Sequence, residues 1–131
     1  TTIDKLTYSN DSRNTLSATL DEGGNDHSGV SNKGSAGYHT SGAGVSTIDL
    51  IEKLPFSNDT PTAISATMSS TVYQRGEFEW QANAGYITGG NGNVTTIDKL
   101  TFSTEGTSTT SSGLTVGRNT HSGHGNSGGS Y

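Results

Sequence analysis

The chain repeats itself three times, and this periodicity constrains its fold more than any other feature of the sequence. The run Thr1–Ser9 returns as Thr95–Ser103 with eight of nine positions identical. The one difference is Phe102 in place of Tyr8. A middle copy begins at Ser46, inserts Leu50–Glu52 and resumes as Lys53–Thr60. A recurring unit of 45–49 residues is typical of stacked supersecondary motifs, so the sequence predicts three repeats. Their predicted bounds are 1–45, 46–94 and a truncated 95–131.

Two further motifs recur inside these bounds. The run Leu16–Leu20 is echoed by Ile64–Met68, and Ala36-Gly37-Tyr38 is echoed by Ala84-Gly85-Tyr86 and by Gly129-Ser130-Tyr131. The chain starts on a repeat boundary and stops within a repeat. We therefore expect it to be an excerpt of a longer array, or a processed product.

The amino-acid composition alone would also permit a disordered chain. Gly, Ser and Thr make up 59 of 131 residues, whereas Leu, Ile, Val and Phe number 21. The repeats favour an ordered fold, because the few apolar residues recur at matched positions and alternate with polar ones, as in Leu16–Leu20. Polar turns such as Asn10-Asp11 separate these runs. The sequence predicts an all-β fold of short antiparallel strands, three or four in each repeat.

Three of the repeated runs resemble the kelch-like tandem repeats of bacteriophage tail and tail-fibre structural proteins, those of cyanophages in particular. These runs are Thr95–Ser103, Leu16–Leu20 and Ala84–Gly90. The resemblance implies β-propeller blades and a non-enzymatic structural protein of a virion, located on the virion or outside the cell. It also implies partners that are copies of the chain itself or other virion proteins, with a contribution to host attachment through surface glycans.

A second hypothesis follows from the number of repeats. Three units of about 45 residues also describe a β-trefoil or a β-prism, whereas closed propellers have about four or more blades. Trefoils and prisms are compact lectin folds. The alternative function is therefore a standalone carbohydrate-binding module.

The middle repeat contains aromatic residues that the other repeats lack. Tyr73, Phe78 and Trp80 lie within one short segment, and Phe78 and Trp80 alternate with Glu79 as in a strand. Aromatic side chains can stack on a sugar ring or anchor a partner chain. We take these three as candidate glycan or partner contacts, with filling of the core between repeats as the alternative.

Other chemistry has little support in the sequence, and we expect no catalytic, cofactor-binding or metal-binding residues. The acidic segment Asp21–Asp26 and the pair His121 and His124 could bind a cation, but both fit surface loops better. Ser35, Ser41 and Ser122 lie near glycines but not in the Gly-x-Ser-x-Gly pattern that exposes a nucleophile. The recurrence of Asp4, Asp49 and Asp98 indicates a structural role, such as accepting backbone N–H groups at a strand start.

Charge and hydropathy exclude two further classes of partner. The formal net charge is −5 with only 7 Lys and Arg, which argues against nucleic-acid binding. No apolar run approaches the ~18 residues that a membrane-spanning helix needs, so we expect no membrane insertion.

Overall fold

The computed structural model describes residues 2–21, 24–44 and 47–125, and all regular secondary structure within them is β-strand. The fold class expected from the sequence, all-β with short antiparallel strands, is confirmed. These described ranges contain no helix that could cross a membrane. The strands are β1 (Thr2–Thr7), β2 (Ser12–Thr19), β3 (Gly24–Asn25), β4 (Ser28–Asn32), β5 (Ala36–Gly44), β6 (Thr47–Pro55), β7 (Thr62–Thr67), β8 (Gly76–Trp80), β9 (Ala84–Thr88), β10 (Ile97–Thr101) and β11 (Gly106–Thr109).

The strands form three antiparallel sheets, none of which closes on itself. Sheet 1 is the pair β1-β2, sheet 2 has the order β4-β5-β6-β7 with β3 also paired to β5, and sheet 3 has the order β8-β9-β10-β11. Sheet 2 takes three strands from the first sequence repeat and two from the second, and sheet 3 takes two from the second and two from the third. The boundaries between sequence repeats therefore lie in the middle of the sheets.

The hairpins β1–β2, β6–β7 and β10–β11, here called the outer hairpins, share one register. In each, a lysine pairs with the residue nine positions further along: Lys5 with Asn14, Lys53 with Thr62 and Lys99 with Ser108. Each turn has one residue with a positive φ, at Asp11 (54°), Asp59 (52°) and Glu105 (52°). The repeated run at the start of each sequence repeat thus encodes the same hairpin three times.

The inner hairpins, β4–β5 and β8–β9, also share a register. Val30 pairs with Tyr38 in the first, and Phe78 pairs with Tyr86 in the second. Equivalent residues of sheets 2 and 3 are therefore 48 positions apart in the inner hairpins and 46 apart in the outer ones.

The shared register changes one sequence alignment. Asp4 pairs with Thr15 and Asp98 with Thr109, and the residue that takes this place in sheet 2 is Glu52, which pairs with Ala63. The match of Ser46-Thr47-Ile48-Asp49 to the other repeat starts is therefore only local. The extra residues of the middle copy therefore lie before the position that Asp4 and Glu52 share, instead of after it.

Sheets 2 and 3 pack face to face, and the core lies between them. Strand β4 contacts both β8 and β9. Ile51, Ile87 and Leu100 are fully buried there, and the ring of Phe102 stacks on that of Tyr38 with centroids 5.3 Å apart. The core is thin but continuous, which explains how so few apolar residues can support the fold.

One ion pair recurs between successive sheets. Lys5 Nζ of sheet 1 lies 2.5 Å from Asp59 Oδ2 of sheet 2. The equivalent Lys53 of sheet 2 pairs with Glu105 of sheet 3. The same kind of ion pair therefore links sheet 1 to sheet 2 and sheet 2 to sheet 3, whereas close contacts between strands occur only at the second of these interfaces in the described residues.

Candidate functional site

The interface between sheets 1 and 2 contains an open groove of about 570 Å³. Sheet 1 supplies only an outer hairpin, so no inner hairpin from its side covers β4 and β5 in the described part of the chain. We call this space the first-interface groove. Residues along it include Ile3, Leu20, Val30, Gly37, Tyr38 and Glu52.

Two pairs of equivalent residues show that this groove is more open than the interface between sheets 2 and 3. A Cβ added to Gly85 of sheet 3 would overlap the Val30 side chain of sheet 2, whereas a Cβ at the equivalent Gly37 would meet only Phe56, at 3.7 Å. Likewise Phe102 is 5% exposed, but the equivalent Phe56 is 46% exposed. In the described residues the first-interface groove is thus less covered than the interface between sheets 2 and 3.

In sheet 2 and in sheet 3, a carboxylate side chain accepts a hydrogen bond from the loop that precedes the sheet. Asp98 accepts hydrogen bonds from the Ser69 backbone N–H at 3.3 Å and from its hydroxyl at 2.9 Å. At the equivalent position Glu52 Oε1 accepts the Asp21 backbone N–H at 2.7 Å. Capping of a backbone N–H, expected for the recurring aspartates, therefore occurs at Asp98 and at Glu52, because Asp49 does not occupy this place in sheet 2.

The third carboxylate of the set, Asp4, is exposed. It accepts hydrogen bonds from the Thr15 hydroxyl at 2.6 Å and from Arg13 Nη1 at 2.7 Å. The Thr15 bond and then the Arg13 bond hold the pKa of the Asp4 carboxyl below its ordinary value. Asp4 and Asp98 thus share a cross-strand threonine partner, since Thr109 donates to Asp98 at 3.1 Å, but differ in burial.

Arg75 is the buried cation of the second interface. Its Nη1 donates to Asp98 Oδ2 at 2.8 Å, and its Nη2 donates to the Ser70 hydroxyl at 2.8 Å. Its Nε donates to the Val72 carbonyl at 3.1 Å. One guanidinium therefore fixes both the carboxylate and the loop between β7 and β8, which suits a planar group with five donors.

The first interface replaces this ion pair with two histidines beside a glutamate. His27 occupies the place of Arg75, and His39 occupies that of Ile87. The two imidazole rings lie 4.2 Å apart between centroids, and His39 Nδ1 is 3.8 Å from Glu52 Oε2. His39 lies in strand β5, in agreement with the sequence, which aligns it with Ile87.

His39 makes the stability of the fold depend on pH. Burial lowers the pKa of His39 to about 4, and the neighbouring His27 acts in the same direction. In the unfolded chain a histidine has a pKa of about 6.5, so between these values only the unfolded chain binds the proton. Stability is therefore complete above pH 6.5 and decreases as the pH falls toward 4.

We expect chemical denaturation to detect this loss. Between pH 7 and pH 4.5 the free energy of unfolding should fall by about 2 kcal/mol through His39, and His39→Ile should remove that contribution. The matched control is His124→Ile, which changes an exposed histidine and should leave the slope as it is. Equal slopes in the wild type and His39→Ile would contradict this prediction.

The three aromatic residues singled out in the sequence do not form one cluster. Phe78 stacks on Tyr86 of the paired strand, with centroids 5.0 Å apart and planes within 9°. Trp80 ends β8 and is 52% exposed. Tyr73 lies in the loop before β8, where its carbonyl accepts the Asn91 N–H at 2.8 Å. We call the surface formed by Phe78, Trp80 and Tyr86 the aromatic face of sheet 3. This is the surface available to a ligand or partner.

The segments considered for cations have other roles or lie partly outside the described residues. In Asp21–Asp26, Glu22 and Gly23 are outside them, and Asp26 bonds through its carbonyl to the Gln74 N–H at 3.2 Å. The surface-loop prediction for His121 is wrong, because this half-buried ring packs on Gly76 and bonds Thr88 Oγ1 at 2.9 Å. No metal-ligating group of three or more side chains occurs in residues 2–21, 24–44 and 47–125.

Comparison with family models and with curated proteins gives no match.

The sequence analysis missed the residues that hold the sheets together. Glu52, Arg75 and His27 come from positions where the repeats differ, so periodicity did not select them.

Proposed function

We propose that the chain is a non-enzymatic structural module of a virion appendage, of the phage tail or tail-fibre type, and that its sheets are blades of a propeller-like array. The observation that carries this proposal is the interface between sheets, which is built twice from equivalent residues. A lysine–acid pair and a carboxylate that accepts a backbone N–H recur at both interfaces, and each outer hairpin carries an aromatic residue after its first strand. A surface that can be repeated in this way suits assembly, because each unit buries its face on the next.

The order of strands supports the blade-like description. Sheets 2 and 3 each contain an antiparallel meander of four strands that begins at a strand packed on the neighbouring sheet, and β4 contacts both β8 and β9. In a trefoil or a prism, by contrast, each repeat forms its own symmetric unit. Here each sheet joins halves of two repeats, which favours an array over that alternative.

Immunogold electron microscopy tests the proposed role. Antibodies raised against the purified chain should label tails or fibres of phage particles from the source of the sequence. Labelling should be regular along or at the end of the appendage. Particles that carry no label, while the antibodies detect the chain in the same preparation as a free protein, would contradict the proposal.

Exposed Trp80 favours glycan recognition as a second candidate function. The indole is 52% exposed and ends a strand whose Phe78 ring already stacks on Tyr86. A flat, exposed aromatic surface beside polar strand residues can stack on a pyranose ring. This function would accompany the structural role as host-surface recognition, or replace it in a lectin-like module.

We expect Trp80→Ala to abolish binding on a glycan array if this second function holds. The loss should be tenfold or more in affinity, since an aromatic contact of this kind contributes about 1–2 kcal/mol. Tyr8→Ala is the matched control, because Tyr8 is 88% exposed and lies in sheet 1, away from the aromatic face of sheet 3. Equal binding by the wild type and Trp80→Ala would contradict glycan recognition at this face.

A further inference from the structure

Three lysines hold equivalent places in the outer hairpins, and two of them bind a carboxylate of the next sheet. Lys5 Nζ lies 2.5 Å from Asp59 Oδ2, and Lys53 Nζ binds Glu105. The third lysine is Lys99, which forms no ion pair within residues 2–21, 24–44 and 47–125. Its two counterparts therefore show what kind of group this position holds.

The occupied site on sheet 2 binds a flat ring and a carboxylate side by side. Tyr38 pairs with Lys53 across β5 and β6, and the Tyr38 hydroxyl donates to Glu105 Oε1 at 3.3 Å. The same tyrosine ring stacks on Phe102, with centroids 5.3 Å apart and planes 17° from parallel. A tyrosine–lysine pair in this register thus combines a stacking surface with two donors for one carboxylate.

Sheet 3 repeats this pair on the face that is turned away from sheet 2. Tyr86 pairs with Lys99 across β9 and β10, which is the register of the pair in sheet 2. Gly85, the neighbour of Tyr86 in the strand, meets Val30 of sheet 2, so Tyr86 points the other way. Side chains directly opposite each other in an antiparallel pair share a face, with Cβ atoms about 5 Å apart. The Tyr86 hydroxyl and the Lys99 ammonium can therefore converge on one carboxylate.

Two neighbouring positions differ between these faces of sheets 2 and 3, and both differences enlarge the aromatic surface. Phe78 takes the place of Val30, and Trp80 takes the place of Asn32. The Phe78 ring lies within 9° of parallel to the ring stacked on it, and Trp80 is 52% exposed. Packing of sheet 2 on sheet 3 uses the projecting Val30 in a glycine notch. A broad aromatic platform suits the face of a pyranose ring better than a second notch of this kind.

We propose that the aromatic face of sheet 3, together with Lys99, binds a glucuronic acid unit of an acidic polysaccharide. The pyranose ring lies on the aromatic face, and its carboxylate accepts hydrogen bonds from Lys99 Nζ and from the Tyr86 hydroxyl. Binding of this sugar rests on glycan recognition, the second candidate function, because it names the class of sugar for the same face. Glucuronic acid has the required shape, since its carboxylate is equatorial and leaves the ring sideways, toward a cation beside the platform.

The net charge of the chain makes this local contact decisive. The formal charge is −5, so a polyanion gains no general attraction to the protein. A preference for an acidic sugar over its neutral counterpart must therefore come from a particular cation. Exchange of that single charge is consequently a sharp test.

Calorimetric titration of the full chain with three matched oligosaccharides tests the proposal. The probes are an oligosaccharide of β-linked glucuronic acid, its methyl ester and the corresponding glucose oligosaccharide. The acidic probe should bind at least about tenfold more tightly than the other two, because only its carboxylate is a charged acceptor. Equal affinity for the acidic probe and its methyl ester would overturn the proposal.

One charge exchange and its matched control locate the contact. Lys99→Gln should lower the affinity for the acidic probe about tenfold and leave the affinity for the glucose probe unchanged. Lys33→Gln makes the same change of net charge in the exposed turn between β4 and β5, and should bind every probe as the wild type does. Wild-type affinity of Lys99→Gln for the acidic probe, or equal losses in the two variants, would overturn the proposal.

A second variant keeps the test decisive if Lys99→Gln does not fold. Tyr86→Phe keeps the ring and removes only the hydroxyl, so the affinity for the acidic probe should fall about threefold while that for the glucose probe stays the same. An unchanged affinity for the acidic probe, or an equal fall for both probes, would contradict the placement of the carboxylate. The comparison among the three probes needs the wild type alone.

The results also separate this proposal from the functions proposed above. Equal binding of all three probes, lost in Trp80→Ala, would leave glycan recognition and remove the acidic sugar. Binding of none of the probes would remove both, whereas the virion role is decided by the labelling of particles. A chain that binds no probe but self-associates, with Lys99→Gln monomeric, would put a protein carboxylate in the place of the sugar and overturn the proposal.

Discussion

Replacing Asp98 with Ala is expected to lower the free energy of unfolding by about 3–5 kcal/mol. Asp98 is 1% exposed and accepts hydrogen bonds from Arg75, from Ser69 and from Thr109. Removing the carboxylate leaves the buried Arg75 guanidinium with a positive charge and no counter-charge at 2.8 Å. Urea denaturation followed by circular dichroism measures the change.

The equivalent variant in sheet 1 is the matched control. Asp4→Ala removes the same side chain and the same cross-strand threonine bond, from Thr15 in this case, but at an exposed position. Solvent screens that carboxylate, so little loss of stability is expected. Similar losses in the two variants would mean that burial at the sheet interface is not what makes Asp98 important.

The second large effect is expected for Leu100→Ala, which should destabilise the protein by about 2–5 kcal/mol. Leu100 has no exposed surface and packs in the core between sheets 2 and 3. The leucine at the equivalent position of sheet 1, Leu6, is 50% exposed. Truncation at Leu100 leaves a cavity in a thin core, and the surrounding strands are fixed by their ladders, so the site cannot collapse to fill it.

Leu6→Ala provides the comparison for this core position. Surface substitutions usually change stability by no more than about 0.5 kcal/mol, and a change of that size is expected here. A loss at Leu6 as large as that at Leu100 would contradict the assignment of the core to the interface of sheets 2 and 3.

The strands and hairpins could be predicted from the sequence, and the sheets could not. The alternation in Leu16–Leu20 and the polar turn at Asn10-Asp11 determine a hairpin locally, and both are visible in the printed letters. Which hairpins share a sheet depends on the edges that meet between repeats. The pairing of Tyr38 with Lys53, across a repeat boundary, has no local signal.

The candidate site was harder to predict from the sequence for a related reason. Periodicity selected Asp49, but Glu52 holds the place of Asp4 and Asp98, because the extra residues of the middle copy precede it. A one-residue change of register exchanges the two faces of a strand, so sequence similarity beside an insertion does not establish structural equivalence. The aromatic residue Trp80 was selected because it departs from the repeat, and it is exposed.

The division of each sheet between two repeats has a consequence for synthesis on the ribosome. When the first repeat has been translated, β5 carries an open edge, and it acquires its neighbour only after β6 has been made. A nascent chain of whole repeats therefore always presents one unpaired strand edge, which is a template for wrong pairing. The unpaired edge is covered only when the next repeat emerges from the ribosome. The time between successive repeats therefore sets how long the growing chain can aggregate through that edge.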